Sequence, residues 1–234
     1  SYVLAKMRHD DAYDLAPMVN TRERRRIEGD FVISPLDIFN HRTYHDTISI
    51  AKSSFDTHGY TIHPRFALKP PPGRKVMTAH VPYRALLPKG LTGILVTGLG
   101  ISAHRDAMPV LRMQPDIQNQ GYAAGLAAAM SVKSERNLRQ IDIKKLQEKL
   151  VEKEILPNGV PTEEDNFPKT SRKIAQAVKN LANNYDGLDL VLAQPKDALP
   201  HLQKAHAASK NSESKLIYAH VLGMLRDDSG VATL

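Results

Sequence analysis

The chain has 234 residues, of which 41% are hydrophobic and 24% charged, a balance that supports ordinary folded cores and excludes a disordered or fibrous protein. It has no cysteine, which excludes disulfides, thiolate catalysis and cysteine-based metal sites. No stretch approaches the roughly 20 apolar residues that a bilayer span needs, so we expect no membrane partner. The net charge of +7 is not accompanied by an aromatic platform or a recognition-helix pattern, so we expect no nucleic-acid binding.

The opening part of the sequence predicts short helices and strands. Apolar residues at helical spacing (Leu4, Met7, Leu15 and Met18) indicate helix near the start. Residues 31–33 predict a short strand, 35–39 one helical turn and 47–50 a second strand. Residues 69–74 contain three consecutive prolines and predict a loop, because proline lacks a backbone donor and fixes φ.

The part that follows this proline loop predicts a strand, a loop and a helix in series. Residues 75–83 indicate an extended segment and 88–90 a turn. Residues 93–98 form a continuous apolar run between glycines, which predicts a strand covered on both faces. Residues 118–133 are rich in Ala and Gly and predict a helix that packs closely on a sheet or a ligand.

From residue 142 the sequence changes to amphipathic helices. Ile143, Leu146 and Leu150 share one helical face, and further helices are expected over 171–183, 198–209 and 212–225. Helix pairs of this kind resemble the antiparallel units of HEAT-type solenoids. The predicted fold class is α+β, with a mixed domain over residues 1–140 followed by an all-α helical tail over 141–234.

The strongest chemical signal is a set of three blocks between residues 81 and 125. They are Val81-Pro82-Tyr83-Arg84-Ala85-Leu86-Leu87-Pro88-Lys89-Gly90, then Leu95-Val96-Thr97-Gly98-Leu99-Gly100-Ile101-Ser102-Ala103, then Gln120-Gly121-Tyr122-Ala123-Ala124-Gly125. Gly98 and Gly100 allow the backbone to approach a flat ring or a ribityl chain. The amino end of a following helix would direct free N–H groups at an electron-rich partner.

These blocks closely resemble the C-terminal flavin motif of the FAD-dependent oxidoreductase family, which is related in fold to glutathione-reductase-type flavoproteins and includes sequences described as xanthan lyases. A second set of blocks supports the resemblance: Arg22-Glu23-Arg24-Arg25-Arg26-Ile27-Glu28-Gly29, Asp37, Asp46-Thr47-Ile48 and Asp56-Thr57-His58. The resemblance implies FAD as cofactor, with the isoalloxazine ring beside the helix end at 118–121. It implies flavin contacts from Gly98, Gly100, Ile101, Ser102, Gln120 and Gly121.

The sequence departs from the family pattern in two ways. Leu99 and Gly100 stand where family members commonly have Arg and Cys, and Arg24 replaces a small hydroxyl residue. No G-x-G-x-x-G follows a strand, although the family holds the FAD pyrophosphate with that motif. We therefore expect a C-terminal portion that is inactive alone, with FAD as the cofactor of the intact enzyme and a missing N-terminal segment or a partner chain holding the ADP half.

The resemblance implies hydride transfer from a small-molecule substrate, of the carbohydrate class, to the flavin. His58, Arg84 and Arg112 are the catalytic candidates, which would orient the substrate or move a proton. His41 and His45 are four residues apart beside Asp46, but the surrounding sequence is not helical, so no metal site is predicted. The alternative is a non-enzymatic interaction module in which the helical tail binds another protein.

Overall fold

A computed structural model describes residues 2–10, 24–57 and 59–234, and within these residues the chain is an α+β protein with a two-stranded sheet and ten α-helices. The predicted helix at Leu15 and Met18, together with Arg22 and His58, lies outside the described residues. In chain order the elements are α1 (Tyr2–Arg8), α2 (Pro35–Phe39), β1 (Thr47–Ser54), α3 (Arg65–Leu68), β2 (Val76–Pro82), α4 (Met108–Leu111), α5 (Gln114–Ser134), α6 (Ile143–Glu152), α7 (Ser171–Asn180), α8 (Leu188–Ala193), α9 (Pro195–Ala208) and α10 (Ser212–Met224).

The sheet confirms the two predicted extended segments at 47–50 and 75–83. Strands β1 and β2 pair antiparallel, with Ile50 opposite His80, and the register shifts between Thr47 and Ser49. The first half of β1 is buried on both faces, because α4, α5 and α6 pack against it. The sheet therefore lies in the hydrophobic core that the residues between Ile33 and Val160 form.

Helix α2 confirms the helical turn predicted at 35–39. The Ser34 hydroxyl accepts a hydrogen bond from the Leu36 N–H, and the Asp37 carboxylate accepts one from the Ser34 N–H at 2.7 Å. This reciprocal capping box satisfies donors that would otherwise be free at a helix start.

The strand predicted at 31–33 is wrong. Ile33 alone of these residues makes a bridge, in parallel with Ala103. The Phe31 ring instead packs edge-on against Tyr44, with centroids 5.2 Å apart. The segment is therefore held by side-chain packing of Phe31 and not by the strand hydrogen bonds that its apolar run predicts.

The buried strand predicted at 93–98 is also wrong. Residues 93–97 form no strand in the described part of the chain, Gly93 has φ of +73°, and Ile94 is 47% exposed. The Val96 N–H donates to the Leu86 carbonyl at 2.9 Å. An apolar run becomes a strand only where a neighbouring strand lies beside it, and the run itself carries no information about that neighbour.

Two hydrophobic clusters divide the described chain. The first extends from Ile33 to Val160 and includes Leu146 and Leu150 of α6. The second lies in the tail, between α7, α8, α9 and α10. The tail helices predicted at 171–183, 198–209 and 212–225 are confirmed, with ends that differ by at most three residues, whereas α8 was not predicted. The domain boundary at 140/141 stays a prediction.

A buried ion pair joins the tail to the first cluster. Arg65 of α3 donates to Asp189 of α8 from Nε at 2.8 Å and from Nη2 at 3.3 Å. The guanidinium also lies over the Phe39 ring, 4.1 Å from its centroid. Nearby, the Asn40 side chain donates to the Asp189 carbonyl at 2.8 Å. Strong, directional bonds therefore fix α8 against α2 and α3.

No helix among the described residues is both long enough and apolar enough to cross a bilayer.

Candidate functional site

The glycine turn, defined here as the 3-10 turn Gly98–Gly100, packs against the first two turns of α5. Gly98 has φ of +67°, a conformation that disfavours residues with a Cβ. Its N–H donates to the Gln120 side-chain oxygen at 3.3 Å, and Gln120 is fully buried. A Cβ at Gly98 would lie 3.3 Å from a methyl carbon of Ile117. Glycine here permits the close approach between turn and helix.

Ile101 and Ser102 continue the glycine turn into the protein interior, where both are fully buried. The Ser102 hydroxyl accepts a hydrogen bond from the Gly29 N–H at 2.9 Å. The Gly100 carbonyl accepts one from the Ile27 N–H at 3.0 Å. The two sets of family-like blocks, which are far apart in sequence, are therefore brought together by direct contacts.

Gly121 lies on the open side of α5. A Cβ at Gly121 or at Gly125 would meet no atom within 4 Å, and the neighbouring Tyr122 is exposed. Of the six predicted flavin contacts, Gly121 has the freest surroundings. The face has room for a flat group or for another backbone.

The amino end of the helix differs from the prediction. Helix α5 begins at Gln114, four residues before the expected start, because Met113 is extended and Pro115 suits a first turn. Residues 118–121 lie in the second turn. The first turn holds the buried Asp116, whose Oδ2 has no hydrogen-bond partner among the described residues. Burial raises the pKa of Asp116, and a hydrogen bond from the Lys52 backbone offsets only part of this rise.

A pair of half-buried histidines, His63 and His104, was missed by the sequence reasoning. Their rings meet edge to face with centroids 5.2 Å apart. The Asp106 N–H donates to His104 Nδ1 at 3.1 Å, and the Arg65 N–H donates to His63 Nδ1 at 3.2 Å. Each neutral ring therefore carries its proton on Nε2. Burial lowers the pKa of both rings, and for His63 the nearby His104 lowers it further.

Asp106 holds this histidine pair in place. Its fully buried carboxylate accepts hydrogen bonds from the Ile62 and His63 N–H groups at 2.8 and 2.7 Å, and it pairs with Arg105 at 3.2 Å. His104 follows the glycine turn by four residues, so a search of the sequence next to the motif could have found it. His63 carried no such signal.

The two catalytic candidates that the structure describes, Arg84 and Arg112, contact different residues. Arg84 donates through Nη2 to both carboxylate oxygens of Asp165 at 3.0 Å, and its Nε lies 3.5 Å from Asp46 Oδ1. Burial alone would raise the pKa of Asp165, but Arg84 and His45 together outweigh it and hold the pKa below its ordinary value. Arg112 donates to the Asp56 carbonyl at 3.0 Å. His58 lies outside the described residues.

One cluster has the composition of a metal site. Ligand atoms of His45, Asp46 and Asp165 lie within 4.8 Å of one another. The Arg84 guanidinium contacts both carboxylates and so supplies the positive charge that a metal ion would bring. His41, the other histidine weighed in the sequence, is not part of this cluster.

The described residues fit the ring half of a flavin better than its ADP half. A Cβ at Gly98 would lie 3.3 Å from Ile117 and one at Gly100 would lie 3.0 Å from Val96, so the room for a flat ring is at the open face of Gly121. Gly98, Gly100 and Ala103 have the spacing of a dinucleotide fingerprint, but residues 101–104 are not helical, whereas a fingerprint requires a helix to begin there. The Ser102 and His104 N–H groups already donate to backbone carbonyls at 3.0 and 2.7 Å, so they are not available to a pyrophosphate.

Comparison with known proteins agrees with the family blocks. Residues 2–150, which are 149 of the 234 residues, match the family model of the FAD dependent oxidoreductases. No curated protein and no solved structure matches the chain. The match covers more than half of the sequence and contains both sets of blocks, so the chain belongs to the FAD dependent oxidoreductase family.

Proposed function

We propose that this chain forms the isoalloxazine and ribityl side of the flavin site in an FAD-dependent oxidoreductase, with part of the substrate site. The ADP half would be held by a dinucleotide-binding segment or partner chain outside these 234 residues. The observation that carries the proposal is the family match over 2–150, within which the glycine turn packs on α5. Without the ADP-binding part, the chain would be inactive alone.

When bound, FAD would supply a flavin N5 that accepts a hydride from a substrate carbon. The chain's own contribution would be to orient the ring and to exclude water from it. Gly121 would leave space for the ring on α5, and Gly98 and Gly100 would contribute by letting the glycine turn pack closely on the side chains beside that helix. Ile101, Ser102 and Gln120 would act through the backbone that they fix, because their side chains are fully buried.

The histidine pair would recognise the substrate by donating hydrogen bonds. In each ring Nδ1 already accepts a backbone N–H, so the free Nε2–H is a donor and not a base. Such donors suit the oxygen atoms of a small hydroxylated substrate, and we propose the carbohydrate class. His58 and Arg112 would complete the orientation of this substrate.

Competition between the two halves of the cofactor tests the proposal. The chain is titrated with flavin mononucleotide, and quenching of flavin fluorescence reports binding. We expect ADP to leave this binding unchanged, because the chain would contact the ring and not the adenosine half. We expect Gly121→Trp to abolish it, whereas Gly73→Ala, in a distant loop with φ of +65°, should bind as the parent does. Displacement of the flavin by ADP would contradict the proposal.

The second candidate is a non-enzymatic interaction module built on a degenerate flavoprotein portion. The observation that favours it is the state of Arg84, whose guanidinium is bound to Asp165 and Asp46 instead of facing open space. A preparation that stays colourless during titration with both flavin mononucleotide and FAD would favour this candidate. The HEAT-like tail would then be the surface for a protein partner.

A further inference from the structure

The tail contains a cavity that lies outside the family match and has no part in the proposed flavin site. This tail cavity opens between α7, α9 and α10 and has a volume of about 510 Å³. Val178, Ala205 and Tyr218 of its lining belong to the second hydrophobic cluster, and its polar lining residues come from α7, α9, α10 and the residue that follows α9. The cavity therefore has an apolar interior with a polar entrance.

The apolar interior follows from small residues on two facing helices. Val178 of α7 and Tyr218 of α10 are buried at its base. Ala175 of α7 and Ala205 of α9 line the walls, and their short side chains leave the space between the helices unfilled. A cavity of this kind binds an aliphatic group readily, because apolar surface leaves water without loss of hydrogen bonds.

The entrance carries unneutralised positive charge. Lys179 of α7 and Lys204 of α9 line the cavity, and neither ammonium group has an ion pair or hydrogen bond within the described part of the chain. His201 also lines it and is hydrogen-bonded to the Ser171 hydroxyl at 3.0 Å. No acidic side chain of the described residues lines the cavity. Two lysines without a counter-charge favour an anion at this position.

The dimensions favour a small molecule over a protein segment. Small-molecule sites commonly have volumes of about 300–1,000 Å³, and the tail cavity lies within that range. A stable protein interface needs about 20–30 residues on each side. Only ten residues of the described chain line the cavity.

We propose that the tail cavity binds an amphipathic anion, with an aliphatic chain against Val178, Ala205 and Tyr218 and a carboxylate or phosphate head between Lys179 and Lys204. The chain would lose its contact with water, and the head would form charge-assisted hydrogen bonds to the two ammonium groups. The site makes the tail a ligand-responsive part of the protein, separate from flavin chemistry.

Isothermal titration calorimetry of the full 234-residue chain tests this proposal. The probes are decanoate and decyl phosphate, each below its micelle concentration, and the uncharged decyl maltoside has a matched aliphatic chain. Acetate and inorganic phosphate supply the two heads alone. We expect one or both anionic amphiphiles to bind, the preferred one identifying the head group, and the three other probes to bind at least ten-fold more weakly.

Two double variants make the test specific to the cavity. Lys179→Gln/Lys204→Gln should weaken binding of the anionic amphiphile by about ten-fold, because it removes both partners of the head. Lys173→Gln/Lys196→Gln removes the same charge from the same two helices at exposed positions outside the cavity, and should leave binding unchanged. Equal binding of decyl maltoside, absence of binding by both anionic amphiphiles, or equal effects of the two double variants would overturn the proposal.

Discussion

The ion pair between Arg65 and Asp189 should contribute strongly to stability, because the guanidinium is only 4% exposed. The change to test is Asp189→Ala. It leaves the buried guanidinium with two carbonyl acceptors, those of Lys69 and Pro70 at 2.7 and 2.9 Å, and without its counter-charge. An uncompensated charge in this position is costly because the surrounding protein solvates it poorly.

The expected size of the effect follows from the exposure of the two partners. Removal of one member of a buried pair costs about 3–5 kcal/mol, and the side chain of Asp189 is 21% exposed, so we expect the lower end, about 3 kcal/mol. In a chain of this length each kcal/mol lowers Tm by about 2–4 °C. Asp189→Ala should therefore lower Tm by about 6–12 °C.

Differential scanning calorimetry at pH 7.5 measures this change. The matched control is Asp186→Ala. Asp186 lies three residues before Asp189, and its exposed carboxylate pairs with Lys69. Its Tm should stay within about 2 °C of the parent. The double change Arg65→Met/Asp189→Leu should recover most of the loss, because it removes both charges together. A similar Tm for Asp189→Ala and Asp186→Ala would refute the reasoning.

Three further predictions concern stability around the site and in the tail. Because burial lowers the pKa of His104, the unfolded chain takes up its proton first, so Tm should fall as the pH drops below about 6.5. His104→Asn keeps an acceptor for the Asp106 N–H and should reduce this fall, when Tm is measured by circular dichroism between pH 7.5 and 5. The same dependence of Tm on pH in the variant and the parent would contradict the role of His104. Ser102→Ala leaves the buried Gly29 N–H without its acceptor and should lower the free energy of unfolding in urea by about 1–3 kcal/mol. Gly187→Ala should lower it by about 3 kcal/mol in the same assay, because φ is +88° and a Cβ would overlap the Ala177 carbonyl oxygen; a neutral result would contradict the observed turn.

Local signals explain the parts of the fold that the sequence predicts well. The turn at 35–39 has its capping residues Ser34 and Asp37 within four positions, so nothing distant is needed to define it. The tail helices α7, α9 and α10 lie between short polar turns and show clear apolar spacing. The glycine turn was also recognised from its own residues.

The errors arise where a distant partner decides the structure. The run at 93–98 is apolar enough for a strand, but its state depends on what lies beside it. The histidine pair joins residues 41 positions apart, and Asp106 brings them together through backbone N–H groups that carry no sequence signal. Arg84 is a catalytic candidate in the sequence, yet its partner Asp165 comes from beyond the family match.

The most direct test of the central claim is to locate a flavin on this chain. Amide chemical shifts of the 15N-labelled protein are recorded while flavin mononucleotide is added, with ADP as the matched control. We expect shifts at Gly98, Gly100 and Gly121 with the flavin and none at these residues with ADP. Flavin-induced shifts that avoid the glycine turn and α5, or identical shifts with ADP, would contradict the claim.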